Sequence, residues 1–315
     1  MKVLVTARSF GSADDKAQKL LEENGFQVKK LVVADGPILE QLKTEIVDAY
    51  AVIAGLEDYT EELLALGKNL KVISRYGVGY DKVDTKAARE KGIAVTITPG
   101  ANGDSVADMA VALMLAAARN VSFMDNSIKD GNQQRPTGVE MFGKTLGVVG
   151  AGRIGKGVAR RCKGFSMEVL CYDTYQDEAF AAETGAKYVD FETIVKESDF
   201  ITIHSPLNEE TTHMFNEEIF KKMKNKSVIV NTARGGIIDE EALFHALKNG
   251  EIGGAGLDAT VEEPPYNSPL LGLHNCTITP HAGAATYEAS SKMGLMAAQN
   301  ILDIFKKGEC TFTVN

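Results

Sequence analysis

In the second half of this chain a guanidinium, a carboxylate and an imidazole each follow a short β-branched or small-residue run. Arg234 stands in Asn231-Thr232-Ala233-Arg234-Gly235-Gly236, after the run Ser227–Val230. Asp258 closes the run Gly254–Leu257, and Glu262-Glu263-Pro264-Pro265 comes soon after it. Pro280-His281-Ala282-Gly283 follows Thr277–Thr279. Such a set suits transfer of hydride from a hydroxy acid. The imidazole titrates near neutrality and can take the hydroxyl proton. A carboxylate on its other ring nitrogen orients it and favours its protonated form. The guanidinium can hold a substrate carboxylate with two parallel bonds and polarise the developing carbonyl.

Each of these residues has a plainer reading when taken alone. A His after a strand is usually a cap or a core residue, an Arg there a surface ion-pair partner, and Glu-Glu-Pro-Pro an exposed turn. Their recurrence at successive strand ends, where open parallel sheets bind ligands, favours the catalytic reading. The residues themselves do not choose between Glu262 and Glu263. His213, His245 and His274 lack such placement and read as structural or solvent-facing. His204 ends the run Phe200–Ile203 with no acid beside it in sequence, and reads as wall rather than catalyst.

A glycine pattern supplies the partner for that chemistry. Gly150-Ala151-Gly152-Arg153-Ile154-Gly155 lies directly between a strand candidate, Thr145–Val149, and a helix candidate, Gly155–Cys162. Gly150 permits a tight turn, Gly152 lets backbone approach a pyrophosphate, and Gly155 lets the helix pack closely on the strand. The next strand candidate leads to Asp173, 18 residues beyond Gly155, where a carboxylate can accept both hydroxyls of an adenosine ribose. The motif alone is weak; strand, helix and acid in place make it a dinucleotide site. The charge of Asp173 would repel a 2′-phosphate, and Thr174-Tyr175 supplies no neighbouring Arg, so NAD is expected rather than NADP.

The elements that must position these groups alternate from end to end. Strand candidates in the first hundred residues are Val3–Thr6, Val28–Val32, Ala51–Ala54, Val72–Ser74 and Ala94–Ile97, with helices such as Ala13–Asn24 and Tyr59–Leu66 between them. Pro99-Gly100 punctuates the chain before a helix candidate from about Ser105 to Arg119, and a second, more regular α/β series starts at Gly143. A long helix, roughly Thr286 to Lys307, comes last. This is the rhythm of parallel α/β sheets, and 315 residues suffice for two domains.

Composition bounds the partners. Hydrophobic residues make up 44% and charged ones 24%, near globular averages, which excludes disordered, collagen-like and coiled-coil classes. A net charge of −9 argues against nucleic acid or an anionic membrane as partner. Cys162, Cys171, Cys276 and Cys310 have no metal-ligand spacing, so no metal is expected and a reduced, cytoplasmic setting is. The N-terminal Met1–Phe10 suits a first buried strand rather than a signal peptide, and the apolar stretch Met109–Ala118 covers about half a membrane span. A soluble protein is expected.

The motifs together resemble those of the D-isomer-specific 2-hydroxyacid dehydrogenases, most closely the phosphoglycerate dehydrogenase branch. The resemblance runs from about Leu70 to Gln299. It includes Arg75-Tyr76-Gly77-Val78-Gly79-Tyr80-Asp81, Gly100-Ala101-Asn102, the glycine turn, Ala233-Arg234-Gly235-Gly236, Asp258 with Glu262-Glu263-Pro264-Pro265, and Pro280-His281. It implies two doubly wound parallel-sheet domains with a cleft between. Residues 100–285 would form a Rossmann NAD-binding domain, and residues 1–99 with 286–315 a flavodoxin-like substrate domain.

The resemblance also implies the catalytic trio Arg234, Glu263 and His281. Cofactor contacts would come from Gly150, Gly152, Arg153, Ile154, Gly155, Asp173, Ser205, Thr232, Ala233, Asp258 and Gly283. Backbone N–H groups of Gly77, Val78 and Gly79 would bind substrate. Arg75 would either assist a phosphate end or pair with a surface acid. The expected substrate is a small D-2-hydroxy acid or its keto acid: 3-phosphoglycerate first, a step of serine biosynthesis, then glyoxylate or hydroxypyruvate. A nucleotide-sensing corepressor-like binding protein and a formate- or phosphite-type dehydrogenase are the rivals. A homodimer joined through the cofactor domain is implied. Ala51–Gly55 lacks the Arg that phosphoglycerate enzymes often carry after this strand, and no serine-sensing C-terminal regulatory domain is expected.

Overall fold

Short apolar runs become parallel strands in two separate sheets. The computed structural model describes residues 1–315 and divides into two units, Met1–Asn102 with Ala284–Asn315, and Gly103–Gly283. These limits fall slightly inside the boundaries expected at 99/100 and 285/286. The reason is local packing: Ala101 and Ala284 gather with Ala289 and Met293 in a small apolar cluster.

The first unit holds β1 (Lys2–Val5), β2 (Gln27–Lys30), β3 (Ala49–Ala54), β4 (Val72–Arg75) and β5 (Ala94–Thr96) in the order β2-β1-β3-β4-β5. β1, β3 and β4 are buried on both faces, so they read as unbroken apolar runs rather than alternating ones. The helix Tyr287–Lys307 covers one face. Its Ala297, Ala298, Ile301 and Leu302 share a core with Val3, Val5, Leu21 and Ala51. Thr286 caps its start by accepting the N–H of Ala289, and Gly308 ends it in the left-handed conformation. Polar bonds fasten it too: Asn300 Nδ2 donates to Ile97 O at 2.9 Å, and Ser74 Oγ to Ala297 O at 3.1 Å.

The second unit holds β6 (Thr145–Val149), β7 (Glu168–Tyr172), β8 (Lys187–Tyr188), β9 (Phe200–Ile203), β10 (Val228–Asn231), β11 (Gly254–Leu257) and β12 (Cys276–Ile278). Their order is β12-β11-β10-β9-β6-β7-β8, all parallel. The strand order reverses at β6, so a crevice opens beyond the carboxyl ends of β6 and β9. The edge strand β8 was absent from the sequence reading. It has two residues, neither buried, and so carries no apolar run. The helix Gly103–Arg119 packs on β10 and β11, and Arg153–Cys162 packs beside it. No single helix is long and apolar enough to cross a membrane.

Candidate active site

The glycine turn is built by steric necessity. Gly150 has φ +92°, and a Cβ there would lie 2.7 Å from the backbone of His204 and Ser205 at the end of β9. A Cβ at Gly155 would overlap the carbonyl oxygen of Gly150. Only glycine lets the first turn of the helix pack this closely on the strand. Gly152 is the N-cap, has no side chain to cap the helix, and has open space where a Cβ would stand. The N–H groups of the first helical turn therefore face a cradle suited to phosphate oxygens. Arg153 is exposed at that terminus, while Ile154 packs half-buried against the core.

Asp173 follows β7 and closes the cradle on one side. Its Oδ2 accepts the N–H of Ala151 at 2.7 Å, and its Oδ1 accepts that of Tyr175 at 2.9 Å. Thr174 Oγ1 also donates to Oδ1 at 3.5 Å, so of the carboxylate's roughly four acceptor positions one, on Oδ2, remains for a ribose hydroxyl. Cradle, helix terminus and acid fit a bound dinucleotide.

Beyond β9 and β10 the wall is polar. Thr202 Oγ1 lies 2.8 Å from His204 Nε2, and Thr232 Oγ1 lies 3.3 Å from His204 Nδ1. Burial pushes the imidazole of His204 down to about 3, so it is neutral near neutrality and holds two hydroxyls in place.

Arg234 sits on a turn organised by Asn231, which is 0% exposed. Asn231 Oδ1 accepts the N–H of Ala233 at 2.9 Å, and its Nδ2 donates to the carbonyl of Arg234 at 2.8 Å. Nη1 of Arg234 donates to Ala233 O at 2.8 Å. The backbone of Gly235 presses against Thr260 and Val261, leaving no room for a Cβ. The Arg234 turn thus abuts the loop that carries the acids.

That loop is held by Glu240, whose Oε1 accepts the N–H of Val261 at 2.7 Å, and by Thr260 Oγ1, which donates to Glu262 O at 2.8 Å. Burial raises Glu240 above the usual carboxylate range. The choice the residues left open is made by geometry. Glu263 Oε1 lies 2.8 Å from His281 Nδ1, with the two side chains 23% and 28% exposed. His281 takes φ +52°, a left-handed conformation few non-glycine residues adopt.

Asp258 and Gly283 meet in the same region, Gly283 N donating to Asp258 Oδ2 at 2.7 Å. Asn231 and Thr279 escaped the sequence reading. Their only signal was position: each is a polar residue at the carboxyl end of a strand candidate, where ligands bind.

The loop after β4 lies in the first unit. Arg75 is 6% exposed, its Nε donating to Gly79 O at 2.8 Å and its Nη1 to Gly55 O. The guanidinium therefore ties the Tyr76–Tyr80 loop to the end of β3. Gly77 accepts the N–H of Thr98 at 2.9 Å, while the N–H groups of Gly77, Val78 and Gly79 donate to no protein atom.

Residues 111–283 match the family model described as D-isomer specific 2-hydroxyacid dehydrogenase, NAD binding domain. The chain belongs to this family. It is 43% identical over 280 residues to a glyoxylate reductase of Korarchaeum cryptofilum, covering 86% of this chain and 83% of that one. It is 41% identical over 310 residues to a D-3-phosphoglycerate dehydrogenase of Archaeoglobus fulgidus, covering 97% of this chain but only 58% of that longer protein. Among solved structures, apo D-lactate dehydrogenase from Escherichia coli superposes with a TM-score of 0.86 at 34% identity, with all of both chains covered. The protein is thus an NAD-dependent oxidoreductase of D-2-hydroxy acids, with its nucleotide cradle in the second unit.

Proposed function

We propose that this dehydrogenase interconverts a small, unphosphorylated 2-keto acid, glyoxylate or hydroxypyruvate, and the corresponding 2-hydroxy acid. Arg234 holds the substrate carboxylate. His281 exchanges the proton of the substrate oxygen through Nε2, because Glu263 occupies Nδ1. The cradle of Gly150, Gly152, Gly155 and Asp173 would hold the nicotinamide dinucleotide, which when bound would accept or supply the hydride at the substrate carbon. In reduction the protonated imidazole gives its proton to the carbonyl oxygen as that carbon is reduced, and Glu263 holds the ring against rotation. The 2.8 Å contact between Glu263 and His281 is the observation that carries this reading.

The state of Arg75 supports an uncharged substrate tail. From sequence 3-phosphoglycerate comes first, with Arg75 either assisting the phosphate end or pairing with a surface acid. Its buried guanidinium donates to the carbonyls of Gly79 and Gly55, and it acts as the strut of the loop whose free N–H groups we assign to substrate. A phosphorylated tail, as in the serine-biosynthetic oxidation, is the second reading. It is favoured by Arg8, an exposed and unpartnered cation whose neighbour Phe10 packs 6.3 Å from the Tyr76 ring.

We further propose a homodimer formed through the second unit and a cytoplasmic setting. Val121, Ile128 and Phe142 are exposed on that unit at 49%, 63% and 69%. Large apolar side chains left in water suit a subunit interface.

A substrate panel tests the reading. Purified protein with NADH is offered glyoxylate, hydroxypyruvate, phosphohydroxypyruvate and pyruvate while absorbance is followed. The expected order places glyoxylate or hydroxypyruvate above phosphohydroxypyruvate in kcat/KM. The reverse order makes the phosphorylated acid the substrate, and no turnover on any of the four removes the catalytic assignment.

A further inference from the structure

The turn that carries His281 wraps around a buried carboxylate. Asp258 is 3% exposed, and its Oδ1 accepts the hydroxyl of Thr279 at 2.6 Å and the N–H of Ala282 at 2.8 Å. Its Oδ2 accepts the N–H of Gly283 at 2.7 Å. The three donors bracket His281 on both sides. A Cβ on residue 283 would stand 2.8 Å from Oδ2, so the approach of that N–H requires glycine. Asp258 is itself fixed, since its N–H donates to Asn231 O at 2.9 Å. Asn231 also holds the Arg234 turn through its side chain. One buried pair of residues therefore sets both the guanidinium turn and the imidazole turn.

We propose that Asp258 is a positioning residue for His281, its carboxylate clamping Thr279, Ala282 and Gly283 so that the left-handed turn holds the imidazole on Glu263. A strained backbone conformation persists only where its surroundings over-determine it, and three bonds to one rigid carboxylate do so. A buried carboxylate without these donors would be strongly unfavourable, so turn and acid stabilise each other. Three of about four acceptor positions are occupied by the turn. One position on Oδ2 stays open to a cofactor contact, which makes the two roles compatible and separable. The proposal rests on the reading of His281 as the acid and base.

Asp258→Asn tests it, because the amide nitrogen would face one of the backbone N–H donors. In the protein without nucleotide, the amide hydrogens of Ala282 and Gly283 should exchange at least about tenfold faster in the variant. At saturating NADH, kcat should fall roughly 10- to 100-fold, as expected when a reacting group is displaced by an ångström, a loss beyond whatever the cofactor contact of Asp258 adds to Kd for NADH. In a His281→Ala background the same change should lower kcat by less than about threefold, because residues acting through one another are not additive. Where Asp258→Asn does not fold, Thr279→Val removes one of the three donors. It should give a several-fold loss of kcat that Thr279→Ser restores.

Unchanged exchange at residues 282 and 283 overturns the clamp. So does a full multiplicative loss in the His281→Ala background, or a defect confined to Kd for NADH. Near wild-type kcat in His281→Ala alone instead refutes the acid-base reading, and leaves the exchange measurement to judge the clamp.

Discussion

The Oδ2 atom of Asp173 accepts the backbone N–H of Ala151 at 2.7 Å, so the acid after β7 and the glycine turn after β6 are one structure. Asp173→Ala removes both a ribose acceptor and a brace of the cradle. Charge-assisted bonds are worth about 1.5–3 kcal/mol, so Kd for NADH should rise roughly 10- to 100-fold. Affinity for NADPH should change far less, because the carboxylate that repels a 2′-phosphate is gone. Fluorescence titration with both nucleotides measures this, and an unaltered Kd for NADH would remove Asp173 from the cofactor site.

His281→Ala should lower kcat on the order of 10²–10⁴-fold while leaving NADH affinity nearly intact. Glu263→Gln keeps the size of the side chain that meets Nδ1 but not its charge, and should cost roughly tenfold or more in kcat. Steady-state kinetics beside nucleotide titration separate the two effects. A defect in nucleotide binding alone would place the pair outside the proton transfer.

Arg75→Met leaves the carbonyls of Gly55 and Gly79 without their guanidinium donor in a buried setting. A stability loss of about 2–4 kcal/mol is expected, read from urea unfolding. KM should rise by a similar factor for glyoxylate, hydroxypyruvate and phosphohydroxypyruvate, since the strut serves the loop rather than a substrate charge. A rise confined to phosphohydroxypyruvate would make Arg75 the phosphate ligand.

His204 makes the fold sensitive to acid. Burial lowers its pKa from the ordinary value to about 3, so below about pH 6.5 the unfolded chain binds a proton that the folded one refuses. Stability falls as pH drops through that window, down to about 3, by at most about 1.4 kcal/mol per unit. His204→Gln keeps hydrogen-bonding groups near Thr202 and Thr232 but cannot titrate. Urea midpoints for the variant should depend less steeply on pH between 6.5 and 4 than those of the wild type. Parallel slopes would mean that His204 titrates normally in the fold.

How much of this was legible before the structure depends on the range of the interaction. Thr145–Val149, Phe200–Ile203 and Gly254–Leu257 appear as strands with the expected ends, because strands buried on both faces must be apolar throughout. The helix ends near Thr286 and Lys307 were equally readable, since a hydroxyl cap and a C-terminal glycine act within one turn. Lys187–Tyr188 was invisible because it is two residues long with neither buried, so it carries no apolar run.

The site divides along the same line. Residue order by itself determined the nucleotide turn, the acid at position 173 and the arrival of a guanidinium, two acids and an imidazole beyond consecutive strands. Those are requirements of backbone sterics and sheet topology, written over a few residues each. The family resemblance already named Glu263 as the partner of His281, and the tertiary structure supplied the contact; only the tertiary structure decided that Asp258 is gripped by the turn around His281 and that Arg75 is a strut. Those outcomes depend on where loops far apart in sequence come to rest, and on which polar atoms are left to pair once the apolar strands have packed.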